Sequence, residues 1–214
     1  MDTFAVKCSI NIVAIVFAFA TGSSIAADPM SVYQKIDFEA DCNAEEIADG
    51  FGLELRCSVM QDYVSIFSDE DARFATWFGL RDGFKRSSYA TFQQFNDVND
   101  IVEWRIYNEE PVATILRWFV VHPNKHSNSK HRRDREILVV SKVATDASTA
   151  SCWVGLIDAS ATPDANELAR KVADNVVPMF DCDTEDAKYF GNEDDQTPKF
   201  YNVRYEPADL KPKG

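Results

Sequence analysis

The stretch IVEWRIYNEEPVATILRWFVVH, residues 101–122, decides the fold class. Two runs rich in β-branched and aromatic residues flank Glu109-Glu110, the pattern of a hairpin with Pro111 just past its turn. Downstream, EILVVSKV at 136–143 and CWVGLIDA at 152–159 are apolar on both faces, as central strands are. Upstream, LELRCSVM at 53–60, YVSIF at 63–67 and RFATWF at 73–78 read as short strands separated by Gln61-Asp62 and an SDED turn. In the register set by a two-residue turn at 109–110, Arg117 lies opposite Val102, on the face carrying Trp104 and Ile115.

One helix stands out beyond the strands. Thr162-Pro163-Asp164 offers a cap, a proline for the first turn and an early acid, and NELARKVADNVV then places Leu168, Val172 and Val176 on one face beside Ala169 and Ala173. The expected fold is therefore α+β: a mostly antiparallel β-sheet of about six to eight strands covered by a C-terminal helix at 163–177. A lipocalin-like β-barrel plus helix is the alternative. A further short helix is expected at 43–49, where NAEEIAD combines a cap residue with helix formers.

The ends of the chain read differently from its middle. Residues 1–27 hold Lys7, the apolar run INIVAIVFAFA and the small-residue stretch TGSSIAA, the plan of a secretory signal peptide cleaved near Ala26 or Ala27. The apolar run is too short to span a bilayer, which takes roughly 20 residues, so no stable membrane anchor is expected. A single globular domain is expected over 28–183 and an acidic, loosely ordered tail over 184–214. Among 214 residues, 22 basic and 35 acidic side chains give a net charge of -13, which repels phosphate backbones and excludes nucleic acid as a general partner.

Removing the leader takes Cys8 with it and leaves Cys42, Cys57, Cys152 and Cys182. An even number in an exported chain points to two disulfides, hence to a periplasmic or extracellular location. Pairing Cys42 with Cys57 and Cys152 with Cys182 closes two local units; the loop entropies, about 3–4 kcal/mol each, do not decide between connectivities, and locality does. No two cysteines have zinc-ligand or redox spacing, so neither a metal nor another cofactor is expected.

The runs TFQQFNDVNDIVEWRI, ATILRWFV and PDANELARKVAD, within roughly residues 91–182, resemble stretches of small exported bacterial proteins of unassigned activity. The resemblance implies export and a bacterial source and carries over no site residue.

Candidate binding residues lie where charge reverses sign. The segment 122–135 holds His122, His126, Lys130, His131, Arg132, Arg133 and Arg135, and with Lys125 and Asp134 it carries +4 on a chain otherwise at -17. A loop of this kind fits an anionic ligand or an acidic protein surface, while its cations oppose a histidine metal site. Arg117, inside an apolar strand, is a candidate anion-holding residue in an aromatic-walled pocket. Asp181, Asp183 and Glu185 alternate like the start of a calcium loop, but Ala187 and Lys188 follow where that loop needs its glycine turn. No nucleophile elbow, zincin helix, phosphate loop or dinucleotide fingerprint is present, so the expected function is that of an exported binding or interaction protein. The alternative is a hydrolase whose carboxylates, among Glu103, Asp158 and Glu167, converge only in three dimensions.

Overall fold

The structure is a computed structural model that describes residues 28–47, 52–121 and 135–205. In chain order its strands are β1 (Met30–Lys35), β2 (Cys42–Ile47), β3 (Gly52–Met60), β4 (Tyr63–Glu70), β5 (Arg73–Leu80), β6 (Lys85–Arg86), β7 (Ser88–Phe92), β8 (Asn96–Tyr107), β9 (Glu110–Val120), β10 (Arg135–Ala144) and β11 (Ala150–Asp158). Helix α1 (Ala165–Asn175), a 3-10 turn at Val177–Met179, β12 (Lys188–Phe190) and β13 (Phe200–Arg204) follow.

The strands form a curled half-barrel in the order β1-β8-β9-β10-β5-β4-β3-β2, and β11 forks from β10 beside β5. All the long pairings are antiparallel, and the parallel ones, β10 with β5 and β11 with β6 and β12, span two or three residues each. Strands β1 and β2 end the path without pairing to each other, so the sheet does not close into the lipocalin-like barrel. The short helix packs on β9, β10 and β11, reaches the edge of β8, and leaves the rest of the sheet uncovered.

Both disulfides are the local ones. Cys42 and Cys57 sit directly opposite each other on β2 and β3, and Cys152 of β11 is bonded to Cys182 after the helix. Of the helix expected at 43–49, the described part is strand instead: Cys42–Ile47 pairs residue by residue with β3, and this tertiary pairing overrides a weak helical preference.

Three further expectations are corrected. The hairpin turn is Asn108-Glu109, one residue earlier than expected, with φ of 49° and 69° and Tyr107 opposite Glu110. Positive φ at both central residues defines the turn that matches strand twist, and Asn tolerates it well. Helix α1 begins after Asp164, itself left-handed with φ 54°, instead of at Pro163. Nor is the tail loose throughout: β13 pairs with β7, Phe200 packs against Trp153, and Tyr189 packs against Phe200 while its hydroxyl donates to the Pro198 carbonyl at 2.6 Å. Acidic composition masked these aromatic anchors, whose burial outweighs the neighbouring charge.

The sheet carries two large cores and a smaller cluster of Val64, Ile66, Ala75 and Trp77. Inside the curl lie Trp104, Trp118, Trp153, Phe67, Phe78 and Phe92, all at most 2% exposed. On the helix side, small and branched residues dominate: Ala113, Val140 and Val154 of the strands meet Ala165, Ala169, Val172 and Ala173 of α1.

Candidate functional site

The helix is held on the sheet by two crossed ion pairs. On β8, Glu103 and Arg105 alternate with Val102 and Trp104, so the charged pair faces the helix while the apolar pair faces the curl. Residues two apart on a strand are about 6.6 Å apart, and residues four apart on a helix about 6 Å, so Arg170 and Asp174 of α1 match that spacing. Arg170 Nε donates to Glu103 at 2.7 Å, and Arg105 donates to both oxygens of Asp174 at 2.8 and 2.7 Å. Arg105 also reaches the Pro29 carbonyl at 3.0 Å and the Ser31 hydroxyl at 2.5 Å, which ties β1 into the same network. The Ser31 hydroxyl in turn donates to Glu103. The guanidinium of Arg170 is held above its ordinary pKa, first by its hydrogen bond to Glu103.

Beside this clasp, at the C-terminal end of the helix, the small side chains leave a cavity of about 420 Å³. Pro29, Tyr107, Val112, Val143, Val177 and Pro178 give it apolar walls, and Lys142, Asp174, Thr145 and Thr149 supply its polar groups. Its size lies within the range of pockets that hold small organic ligands. A second, polar cleft of about 170 Å³ adjoins it, lined by Lys142, Ser148, Thr149, Asp181 and Asp183, so Lys142 and Thr149 border both spaces. Lys142 Nζ donates to the Phe180 carbonyl at 2.6 Å.

The sequence candidates fall elsewhere. Arg117 lies on the helix face with Glu103 and Ile115, not with Trp104, because the shifted turn and a bulge place Leu116 opposite Val102. A one-residue slip moves a side chain to the other face of a sheet. There it borders a cleft of about 160 Å³ with Tyr33 and Asn166, and its charge is met by Glu136 at 2.6 Å. Arg135 is a structural residue: it is 11% exposed and pairs with Asp158 and Asp194 at 2.6 and 2.8 Å. His122, His126, Lys130, His131, Arg132 and Arg133 lie outside the described residues.

The three carboxylates of the hydrolase reading are each engaged by a cation. Glu103 serves Arg170, Glu167 serves Lys171 one helical turn on, and Asp158, fully buried, accepts from Arg135 and from Thr197 at 2.7 Å. Asp181 closes a turn by accepting from the Asp183 N–H and the Thr184 hydroxyl, Glu185 accepts from the Asp181 N–H, and Asp183 is paired with Lys85. No cluster of three or more metal-ligating side chains is present among the described residues.

Sequence reasoning missed Lys142 and Asp174. A signal for the clasp was present, since opposite charges alternate through the apolar run VEWRI and recur in reverse order four residues apart in ARKVAD. The fold and site thus define a disulfide-bonded, β-rich domain with an apolar cavity at one helix end. Compared with protein-family models, curated proteins and solved structures, the chain matches none. Two disulfides fit an oxidising, extracytoplasmic environment, and no helix among the described residues is long and apolar enough to cross a membrane.

Proposed function

We propose that the protein is an exported binding protein, released by cleavage near Ala26 or Ala27, that holds a small and largely apolar molecule at the C-terminal end of its helix. The observation that carries this reading is the cavity of about 420 Å³ between the β8–β9 hairpin, β10 and the 3-10 turn. Its walls are presented by rigid elements: Val112 and Val143 by strands, and Val177 by a segment that the Cys152–Cys182 bond ties to β11. Preformed apolar concavity of this size favours ligands that bury hydrocarbon, at about 25 cal/mol for each Å² removed from water.

Mass spectrometry of the exported protein should show a chain starting at Ala27 or Asp28 with no free thiol. The same protein should bind the neutral probe N-phenylnaphthylamine saturably, with enhanced fluorescence. Val112→Trp and Thr145→Trp, which fill the cavity from two sides, should each remove the enhancement while the fold is retained. Saturable binding unchanged in both variants, or none in the native protein, overturns the reading.

A further inference from the structure

Toward the opposite end of the helix from the cavity lies the cleft of about 160 Å³ that Arg117 borders. Ile115 and Leu138, 4% and 3% exposed, form its apolar floor, and Tyr33 and Ile101, 58% and 41% exposed, stand at its edge. The charges that line it, or bond to its lining, are matched: Arg117 with Glu136 at 2.6 Å and Arg170 with Glu103 at 2.7 Å. Among the described residues, the hydrogen-bonding capacity left over is of both kinds. The side-chain oxygens of Asn99 and Asn166 are taken by the Asp100 N–H at 2.9 Å and by Arg117 at 3.1 Å, which sets how each amide is turned and leaves its NH2 group to donate. Tyr33 accepts from Arg170 at 2.7 Å and keeps its own proton, and Arg117 spends two of its N–H groups on Glu136 and Asn166. Glu103 Oε2, which meets only Arg170 at 3.5 Å, is the acceptor.

We propose that this cleft binds one pyranose ring of a neutral carbohydrate, its C–H face against Tyr33 and the aliphatic floor and its hydroxyls among Asn99, Asn166, Arg117 and Glu103. Matched charges leave no surplus for an ionic guest, and enclosing an unmatched ion is costly. A guest made only of hydrocarbon would strip water from the amides and the guanidinium without replacing their bonds. A sugar hydroxyl both donates and accepts, so hydroxyls around one ring can answer the amides, the guanidinium and the Glu103 oxygen together, while the C–H bonds pack on the tyrosine. The ion pairs hold Arg117 and Glu103 in place before a ligand arrives, which lowers the entropy lost on binding. A space of this size admits a single ring, so a longer glycan would be held by its end unit.

The methyl glycosides of glucose, galactose, mannose and N-acetylglucosamine, titrated into the full mature protein while the side-chain amide NMR signals of Asn99 and Asn166 are followed, decide it. At least one glycoside should move both signals together and saturably, with a dissociation constant in the millimolar range. Its uronic acid and amino-sugar counterparts, which add a charge of either sign, should bind roughly tenfold more weakly. Tyr33→Leu should weaken binding roughly threefold to tenfold, Tyr33→Phe should retain most of it, and Asn99→Ala should weaken it roughly twofold to tenfold. Binding of N-phenylnaphthylamine should be unchanged in all three variants, because the cavity lies at the other end of the helix. The carbohydrate assignment is overturned if no glycoside moves the two signals, if a charged counterpart binds more tightly, or if neither Tyr33→Leu nor Asn99→Ala alters the affinity. Should a variant not fold, the two amide signals and the charge ranking in the native protein still decide.

Discussion

The two faces of the sheet solve the packing problem in opposite ways. Inside the curl the gaps are filled by size: Trp118 and Trp153 meet edge to face with ring centres 5.0 Å apart, and Phe92 lies within 5.5 Å of both. So thoroughly aromatic is this interior that the indole N–H groups of Trp104 and Trp118 are buried with no acceptor among the described residues. On the helix face the approach is close because the side chains are small, and the alignment comes from charge, through the clasp of Glu103 and Arg105 with Arg170 and Asp174. A face built of large rings fills its gaps with its own side chains. A face built of alanine, valine and ion pairs leaves a cavity of about 420 Å³ where the helix ends.

The contrast predicts opposite sensitivities, the interior to deletion and the helix face to addition. Trp118→Ala removes a fully buried indole from a cluster that cannot collapse around the void, and should cost about 3–5 kcal/mol in urea denaturation. A cost below about 1 kcal/mol would mean that the cluster relaxes and that size is not what fills the curl. Gly155→Ala tests the other face by adding one carbon. A Cβ there would stand 2.8 Å from Val172 Cγ1 of the helix and 2.9 Å from the Phe190 ring, so both must retreat. The expected loss is about 1–3 kcal/mol, in the range of overpacked sites, together with a change in probe binding as α1 moves outward. An unchanged midpoint would show that the helix rides loosely on β11.

How far all this was legible in the sequence depends on whether a residue's role was set by its neighbours along the chain. Both disulfides could be read because each closes a local unit, Cys42 with Cys57 across adjacent strands and Cys152 with Cys182 around one helix. Leu168 and Val172 announced the helix through their spacing, but it starts only at Ala165, after a left-handed Asp164 that spacing does not reveal. The cavity was not legible, since Pro29, Val112, Lys142 and Val177 come from four separate segments. Arg135 looked like part of a cationic loop because its partners, Asp158 and Asp194, lie far along the chain. Phe200 was hidden for the same reason: an acidic neighbourhood says nothing about a ring that reaches Trp153 across the fold.

The smallest expected effect concerns the turn that decides which side chains belong to which face. With Asn108 and Glu109 as its central residues, Glu103 and Arg105 look toward the helix and Val102 and Trp104 toward the curl. Glu109 is an L-residue at φ 69°, a conformation that costs about 1–2 kcal/mol for a side chain and almost nothing for glycine. Glu109→Gly creates the Asn-Gly pair that such turns prefer, and after the entropy that glycine adds to the unfolded chain it should gain about 0.5–1 kcal/mol. Glu110→Gly should do the reverse. Glu110 is the first residue of β9, paired with Tyr107, and a glycine inside a strand weakens it by about 0.5–1 kcal/mol. Were the turn at 109–110, as the sequence suggested, both replacements would relieve positive φ and both would stabilise. Opposite signs at adjacent positions, read as a raised and a lowered urea midpoint at constant slope, therefore fix the register. With the register fixed, so is the assignment of charge to one face of the sheet and aromatic bulk to the other.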